Sequence, residues 1–391
     1  MKKWSIGIMV IMLIFALCIY KIHSSHPISA RSQVDIWDEW EQSHGINVLK
    51  TSKNGYDVIW SSAQKISENG DWTHDVYGMT YRNGHTIKKT LVSAHEAQEP
   101  SSASQCADGH ILVTFEDGNA VGDYGVMQRY AIFDKNLNNV VSYDPYKTII
   151  KNGGHSGHVT SVRNTFVVVC DEGWINKDGI LNRGTGKEIY ITTMNSVGNN
   201  KNTIKIANTS SRYDWPLVAG SKNEAFILWQ RIVPKRNYTK LMMATFNLKT
   251  RKVSNPKAVS KIKCQYYNYS VSYMPKVNCF ILTATDHHGV GHMYLYNTNG
   301  KQLCHKSGLG RFSMESSPAV SNNSIVYPTH KKSLTLFKVT HKSIKKIKTK
   351  KTSLSWSSRG QAGVLSITIQ KIHDFSRRAT SLQSMSDVFS V

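Results

Sequence analysis

Two stretches of this chain decide its fold: Glu99-Pro100-Ser101-Ser102-Ala103, followed by Gly109-His110-Ile111-Leu112-Val113-Thr114-Phe115, and Asp214-Trp215-Pro216-Leu217-Val218-Ala219, followed by Glu224-Ala225-Phe226-Ile227-Leu228-Trp229. Each opens on a polar or aromatic cluster. A strand of small residues follows, then a short polar turn, then an apolar strand. Weaker copies are His158–Val162 with Thr165–Val169, and Ser317–Val320 with Ser324–Tyr327. The phrase recurs roughly every 40–60 residues. Self-similarity at such a period marks a repeat architecture, and a four-stranded unit of this length is a propeller blade.

Working outward, the apolar strand supplies an anchor in each copy: Trp60, Phe115, Val169, Trp229, Thr283, Tyr327 and Ile367. Alternating runs that read as third strands follow five of these anchors. They are Arg129–Phe133, Glu188–Ile191, Leu241–Phe246, His292–Tyr296 and Leu334–Phe337. Long helical periodicity is absent after residue 50. The expectation is an all-β chain forming one β-propeller of six or seven four-stranded blades. A sandwich or several small β domains are the alternatives. In a propeller the first strand of each blade lines a crowded channel, which fits Ser101, Ser102, Ala103, Ala219 and Ala319.

The rhythm resembles the sialidase-like, or BNR-type, propeller superfamily over about Tyr56 to Ile372. The Asp-box of that group (Ser-x-Asp-x-Gly-x-x-Trp) has no good match here, and no arginine triad is identified. The resemblance therefore implies a fold and transfers no residue role. Some polysaccharide lyases also use propellers, with His, Tyr and Arg in the central funnel.

The N-terminus reads as an export signal. Met1-Lys2-Lys3 precedes an apolar run, Trp4–Tyr20, of about 17 residues, at the lower limit for a spanning helix. The expected organisation is a signal anchor or signal peptide over 1–21, a spacer over 22–50 and the propeller over 51–391. An uncleaved anchor is favoured. Its lysines stay inside and the propeller outside. Cleavage near Ile28-Ser29-Ala30 would instead secrete the protein. Lipidation at Cys18 is a third reading, opposed by the bulky Leu17. Within the spacer, Val34–His44 carries a helical hint with Trp37 and Trp40.

The 391 residues hold 49 Lys+Arg against 26 Asp+Glu, a formal net charge of +23. That excess favours an anionic polysaccharide or wall polymer as partner. Nucleic acid is not expected, because recognition-helix and RNA-binding signatures are absent. No Walker loop, GxGxxG, GxSxG or HExxH is present either. The six cysteines form no CxxC. Cys170 and Cys279 fall in apolar strands and are expected to be buried. A Cys264–Cys304 disulfide is possible but unsupported by spacing. No metal or cofactor is expected, and the protein is expected to be monomeric.

The loops entering the innermost strands open onto one face, where ligands of such folds sit. Here they read His95-Glu96-Ala97-Gln98-Glu99, His155-Ser156-Gly157-His158, Tyr213-Asp214-Trp215 and Tyr267-Asn268-Tyr269, with Glu315 and Arg359 in the later copies. The exits of the second strands (Glu116-Asp117, Asp171-Glu172, Gln230-Arg231, Asp286-His287-His288) are placed less firmly near the same face. Candidate catalytic residues are His155 and His158, as general base and orienter or alternatively as metal ligands, and Tyr267 as another base, with Arg231 and Arg359 to neutralise a uronate. Candidate ligand-binding residues are His95, Glu96, Glu99, Asp214, Trp215, Tyr269 and Glu315. Trp215 either stacks on a sugar or wedges between blades. Tyr267 and Tyr269 either bind or pack the channel. Lys331–Lys351 holds nine lysines and reads as a protected sheet edge or a polyanion patch. The leading function is recognition of an anionic glycan. A lyase or glycosidase using the same funnel, and a protein-binding scaffold, are the alternatives.

Overall fold

The computed structural model describes residues 44–351 apart from 53–54, 67–71, 83–84, 96, 119–126, 151–152, 174–185, 209–210, 313–316 and 329–332. Every element among them is a strand. Sheet 1 holds β1 (His44–Ser52), β2 (Gly55–Ile66), β3 (Trp72–Arg82) and β4 (His85–Val92). Sheet 2 holds β5 (Ser102–Gln105), β6 (Ile111–Asp117), β7 (Met127–Phe133) and β8 (Asn139–Val141). Sheet 3 holds β9 (His155–Val162), β10 (Thr165–Asp171), β11 (Glu188–Asn195) and β12 (Asn202–Asn208).

The next two units share a strand. β13 (Tyr213–Gly220), β14 (Glu224–Ile232) and β15 (Thr239–Asn247), with the short β16 (Lys252–Val253) beside β15, pair in order. The long β17 (Lys257–Met274) pairs with β15 through its first half. Its second half pairs with β18 (Cys279–Asp286), which continues to β19 (Gly291–Asn297) and β20 (Gln302–Leu309). One strand thus closes the fourth unit and opens the fifth. The sixth unit is β21 (Ala319–Ser321), β22 (Ser324–Pro328), β23 (Ser333–Thr340) and β24 (Ser343–Lys351). All pairings are antiparallel and, apart from β15 with β17, between sequence neighbours, and among the described residues no sheet closes on itself.

The units pack face to face in chain order, with an apolar core between each consecutive pair. Ile111, Val113 and Phe115 of β6 join Ile59 and Val76 of sheet 1, whereas Leu112 joins Phe166 and Val168 of sheet 3. Val167 and Val169 then face Ile227 and Trp229 of the fourth unit. Phe226 and Leu228 pack with Phe280 and Leu282 of the fifth, and Ile281 with Ile325 of the sixth. Successive strand residues point to opposite faces, so a strand sandwiched between two cores must be apolar throughout. This is why the second strands read as unbroken hydrophobic runs. Six sequence anchors, Trp60 through Tyr327, fall on β2, β6, β10, β14, β18 and β22. The seventh, Ile367, lies outside the described residues.

First strands stand side by side. The Val159 N–H donates to Ser102 Oγ at 3.1 Å, the Gly220 N–H to Thr160 Oγ1 at 2.9 Å, and the Ala103 N–H to Asn47 Oδ1 at 3.0 Å. A Cβ on Gly220 would lie 2.5 Å from the Ser161 carbonyl oxygen. Backbones this close explain the small residues. A chain of sheets joined through their first strands and packed by their faces is the propeller arrangement.

One sequence expectation changes, and one open question is answered. β1 begins at His44, inside the stretch read as spacer, because its alternation is masked by Gly45 and Asn47, which serve the contact with Ser101. Cys264 and Cys304 are free thiols, lying on β17 and β20. Two strands separate those elements at about 4.8 Å per step, too far for a disulfide. Val34–Ser43 and the run Trp4–Tyr20 lie outside the described residues. Among those described, no helix is long and apolar enough to cross a membrane.

Candidate functional site

The entry of each first strand is opposed by the exit of the second strand. Gln98 faces Asp117, His155 faces Asp171, and Asp214 faces Gln230. Just beyond, the register slips. His155 and His158 are three residues apart but face Asp171 and Val169, which are two apart. Asp214 and Leu217 repeat this against Gln230 and Leu228. An extra residue of this kind is a β-bulge, which bends a strand and re-aims side chains. The residues at these slips take a left-handed backbone: Ser156 at φ 51°, Trp215 at φ 55° and, at the longer slip in β17, Tyr267 at φ 56°. Gly157 is required beside the first of them. A Cβ there would lie 2.1 Å from Gln128 Cδ, and the Gly157 N–H donates to Gln128 Oε1 at 3.0 Å.

The slips bring four ionisable groups together. His155 Nδ1 lies 3.4 Å from Asp171 Oδ1 and 3.7 Å from Asp214 Oδ1, while its Nε2 lies 3.6 Å from Glu116 Oε1. Outer partners hold the remaining atoms. Asp171 Oδ2 accepts from the Trp215 N–H at 3.0 Å. Asp214 Oδ2 accepts from Gln230 Nε2 at 2.9 Å and from the Tyr267 hydroxyl at 3.1 Å. Glu116 Oε1 accepts from the Ser156 N–H at 2.7 Å. Asp171 and Asp214 are completely buried. Burial pushes the Glu116 carboxyl up to about 7, against the opposing pull of His155. Burial, and then Asp171, push Asp214 up to about 8. Burial also drives Asp171 well above the ordinary range. Carboxyls removed from water hold their protons unless a cation compensates them.

An aromatic wall borders the cluster. Trp215 is buried, with its ring edge-on to Tyr267 at 4.9 Å and to His158 at 5.6 Å. It therefore wedges between first strands and offers no stacking face. Tyr269 is also buried and donates to the Trp215 carbonyl at 2.6 Å, so it packs the same wedge. His158 turns its Nδ1 to the Ser156 carbonyl at 2.7 Å. Tyr266 and Tyr267 are partly exposed, 6.2 Å apart. Farther out at the same strand ends, Tyr238 meets the His287 ring at 5.6 Å, and Lys263 Nζ lies 5.1 Å from the Tyr238 ring.

The structure therefore gathers His155, His158, Asp214, Trp215, Tyr267 and Tyr269. Glu99 adjoins the centre at its Glu116 side: its N–H donates to the Glu116 carbonyl at 3.0 Å and its carboxylate lies 3.2 Å from His74 Nε2, while His95 is exposed in the loop between β4 and β5. Arg231 follows Gln230 on β14, so alternation sends it to the opposite sheet face. Glu96, Glu315 and Arg359 lie outside the described residues. Asp286 caps its turn, accepting from the His288 and Val290 N–H groups at 2.9 Å each. Glu116, Asp171 and Gln230, read from the sequence as second-strand exits but not as candidate site residues, complete the site. Their signal was the polar exit of each second strand. A further acid there, Asp117, is committed elsewhere: it meets buried Arg129 Nε at 3.0 Å and accepts from the Tyr143 hydroxyl at 2.6 Å.

No family model and no curated protein matches the chain in sequence. Solved structures match in fold. A lectin from Burkholderia pseudomallei, BP39L, is 11% identical with a TM-score of 0.51, over 82% of this chain and 89% of that one. A protein of unknown function from Dyadobacter fermentans is 8% identical with a TM-score of 0.50, over 79% and 93%. A six-bladed β-propeller lectin from the fungus Aleuria aurantia is 9% identical with a TM-score of 0.43, over 71% and 80%. At such identities the likeness is one of fold. The chain is an all-β protein of β-propeller type, with a buried acid–imidazole centre at the strand ends of its second to fifth units.

Proposed function

We propose that this protein binds an acidic glycan at the strand ends of its third to fifth units, outside the membrane and held there by the run Trp4–Tyr20. One observation carries the reading. Partly exposed aromatic rings and a cluster of basic side chains share the same strand ends, where Asp171 and Asp214 are buried and Asp286 is bound in its turn. Tyr266, Tyr267 and Tyr238 offer amphipathic ring faces suited to the C–H faces of sugars, with hydroxyls for orientation. Planar hydrogen-bonding groups lie among them, with Asn268 Nδ2 donating to Gln265 Oε1 at 3.1 Å. Between Glu224 and Asp286 the chain carries no acid, while Arg231, Lys235, Arg236, Lys240, Lys261 and Lys263 supply positive charge. Lys240 and Lys263 are cross-strand neighbours. Such a field draws carboxylated, sulfated or phosphorylated polymers. The like-folded Burkholderia protein being a lectin gives secondary support.

The test is retention of the full-length protein, in detergent, on a panel of acidic and neutral polysaccharides. Acidic polymers are expected to retain it. Tyr266→Ala should weaken retention about tenfold, in line with the loss of one aromatic contact. Equal retention by neutral polymers, or none by any, overturns the reading. New reducing ends or unsaturated uronates would show turnover and convert the proposal into a glycosidase or lyase.

A further inference from the structure

We propose that His155 Nδ1, Asp171 Oδ1 and Asp214 Oδ1 form the binding site for one divalent transition-metal ion of the zinc class. The three ligands come from β9, β10 and β13, two neighbouring units, and their donor atoms all lie within 4.8 Å of one another. An ion about 2.1 Å from each of two ligands at a tetrahedral angle sets those ligands about 3.4 Å apart. His155 Nδ1 stands 3.4 Å from Asp171 Oδ1 and 3.7 Å from Asp214 Oδ1.

A second observation points into the same space. Asp171 Oδ1 and Asp214 Oδ1 are buried, and within their reach lie His155 and each other's carboxyl. Their sister oxygens are satisfied, by the Trp215 N–H and by Gln230 and Tyr267. Each carboxylate is thus oriented by one oxygen and leaves the other aimed at His155. The far nitrogen of His155 faces Glu116, which is itself held by the Ser156 N–H. A carboxylate behind a ligating imidazole is the usual outer partner of a metal-bound histidine.

The donor set selects the ion. One imidazole nitrogen with two carboxylate oxygens suits zinc or its neighbours, and the two negative charges balance a dication. Calcium takes six to eight oxygens, more than converge here. No thiol takes part, since Cys170 points to the sheet face opposite Asp171. Ser156 Oγ lies 2.7 Å from His155 Nδ1. Binding an ion there requires the Ser156 hydroxyl to turn away from Nδ1. The competing occupant of the site is a proton shared between the carboxyls. The inference does not depend on glycan binding.

The test uses full-length protein in detergent, stripped with a chelator, dialysed and titrated with zinc chloride. Calorimetry would give the affinity and elemental analysis the stoichiometry. One ion per chain is expected. Asp171→Asn and Asp214→Asn should each weaken binding at least 100-fold, and Glu116→Gln about 10–100-fold through the outer partner. A His292→Ala/His305→Ala double variant should bind as the parent does. Those two rings adjoin at the surface, with 3.1 Å between His292 Nδ1 and His305 Nε2, and would be the seat of adventitious zinc. Loss of binding in that double variant, or undiminished binding in both Asp variants, overturns the site. Thermal melting of the stripped parent guards against variants that do not fold. Zinc should raise its midpoint, and an unchanged midpoint across the titration also overturns the site. Metal binding without retention on any polymer would leave this inference standing and remove the glycan reading.

Discussion

Gly157 sits where the backbone of β9 passes against the side chain of Gln128, and the consequence is local and measurable. Gln128 accepts from the Gly157 N–H and donates to Thr114 Oγ1 at 2.7 Å. A methyl group at 157 must displace a buried carboxamide that has no slack. Gly157→Ala is expected to destabilise the fold by about 1–3 kcal/mol, the usual cost of overpacking, as read by urea denaturation. Arg129 and Asp117 present a harsher case, with side-chain exposures of 1% and 0%. Arg129→Met leaves a buried carboxylate without its cation. A loss of about 3–5 kcal/mol is expected, checked in the same way. At this scale the sequence was informative about residue types and silent about partners. His155, Asp214 and Tyr267 stood out because each occupies a strand entry. Glu116 and Asp171 occupy strand exits, and nothing local says which exit meets which entry. Trp215 was open between stacking and wedging. Its burial follows from a left-handed backbone that no reading of composition reveals.

Among the elements, the most legible were the second strands. Those of the second to fifth units are each sandwiched between two cores, so their sequences are apolar on both faces and too short to read as helices. The least legible was β17. It reads as one run, yet it serves two units, and the change of partner comes at a register slip between Cys264 and Tyr269. The strand β24 completes the sixth unit with every residue but Ile344 and Lys348 bare to solvent, Lys345 and Lys346 among them. An exposed edge studded with lysine resists pairing with a second sheet. Lys345→Glu with Lys346→Glu should therefore leave the unfolding free energy within about 0.5 kcal/mol of the parent. If the edge also attracts polymer, the same variant should be retained less by acidic polysaccharide. Unchanged retention would assign β24 to edge protection alone and leave the strand ends of the third to fifth units as the binding surface.

For the whole molecule, the net charge of +23 makes retention an electrostatic matter first. Screening shortens the reach of exposed charges from about 8 Å at physiological ionic strength to about 3 Å at 1 M salt. Retention on an acidic polymer is expected to fall steeply over that range, as read by elution in a salt gradient. A residue of binding that persists in high salt would report the tyrosine contacts. The strand rhythm, the apolar second strands and the small-residue first strands were determined by the sequence alone. All three are local consequences of period-two burial and of backbones crowding together, and each is written within a few consecutive residues. The meeting of His155 with Asp171, Asp214 and Glu116 was decided only by the tertiary structure. Those groups come from three different units. Only the bulged register at each strand entry and the face-to-face stacking of the sheets carry them into one buried centre.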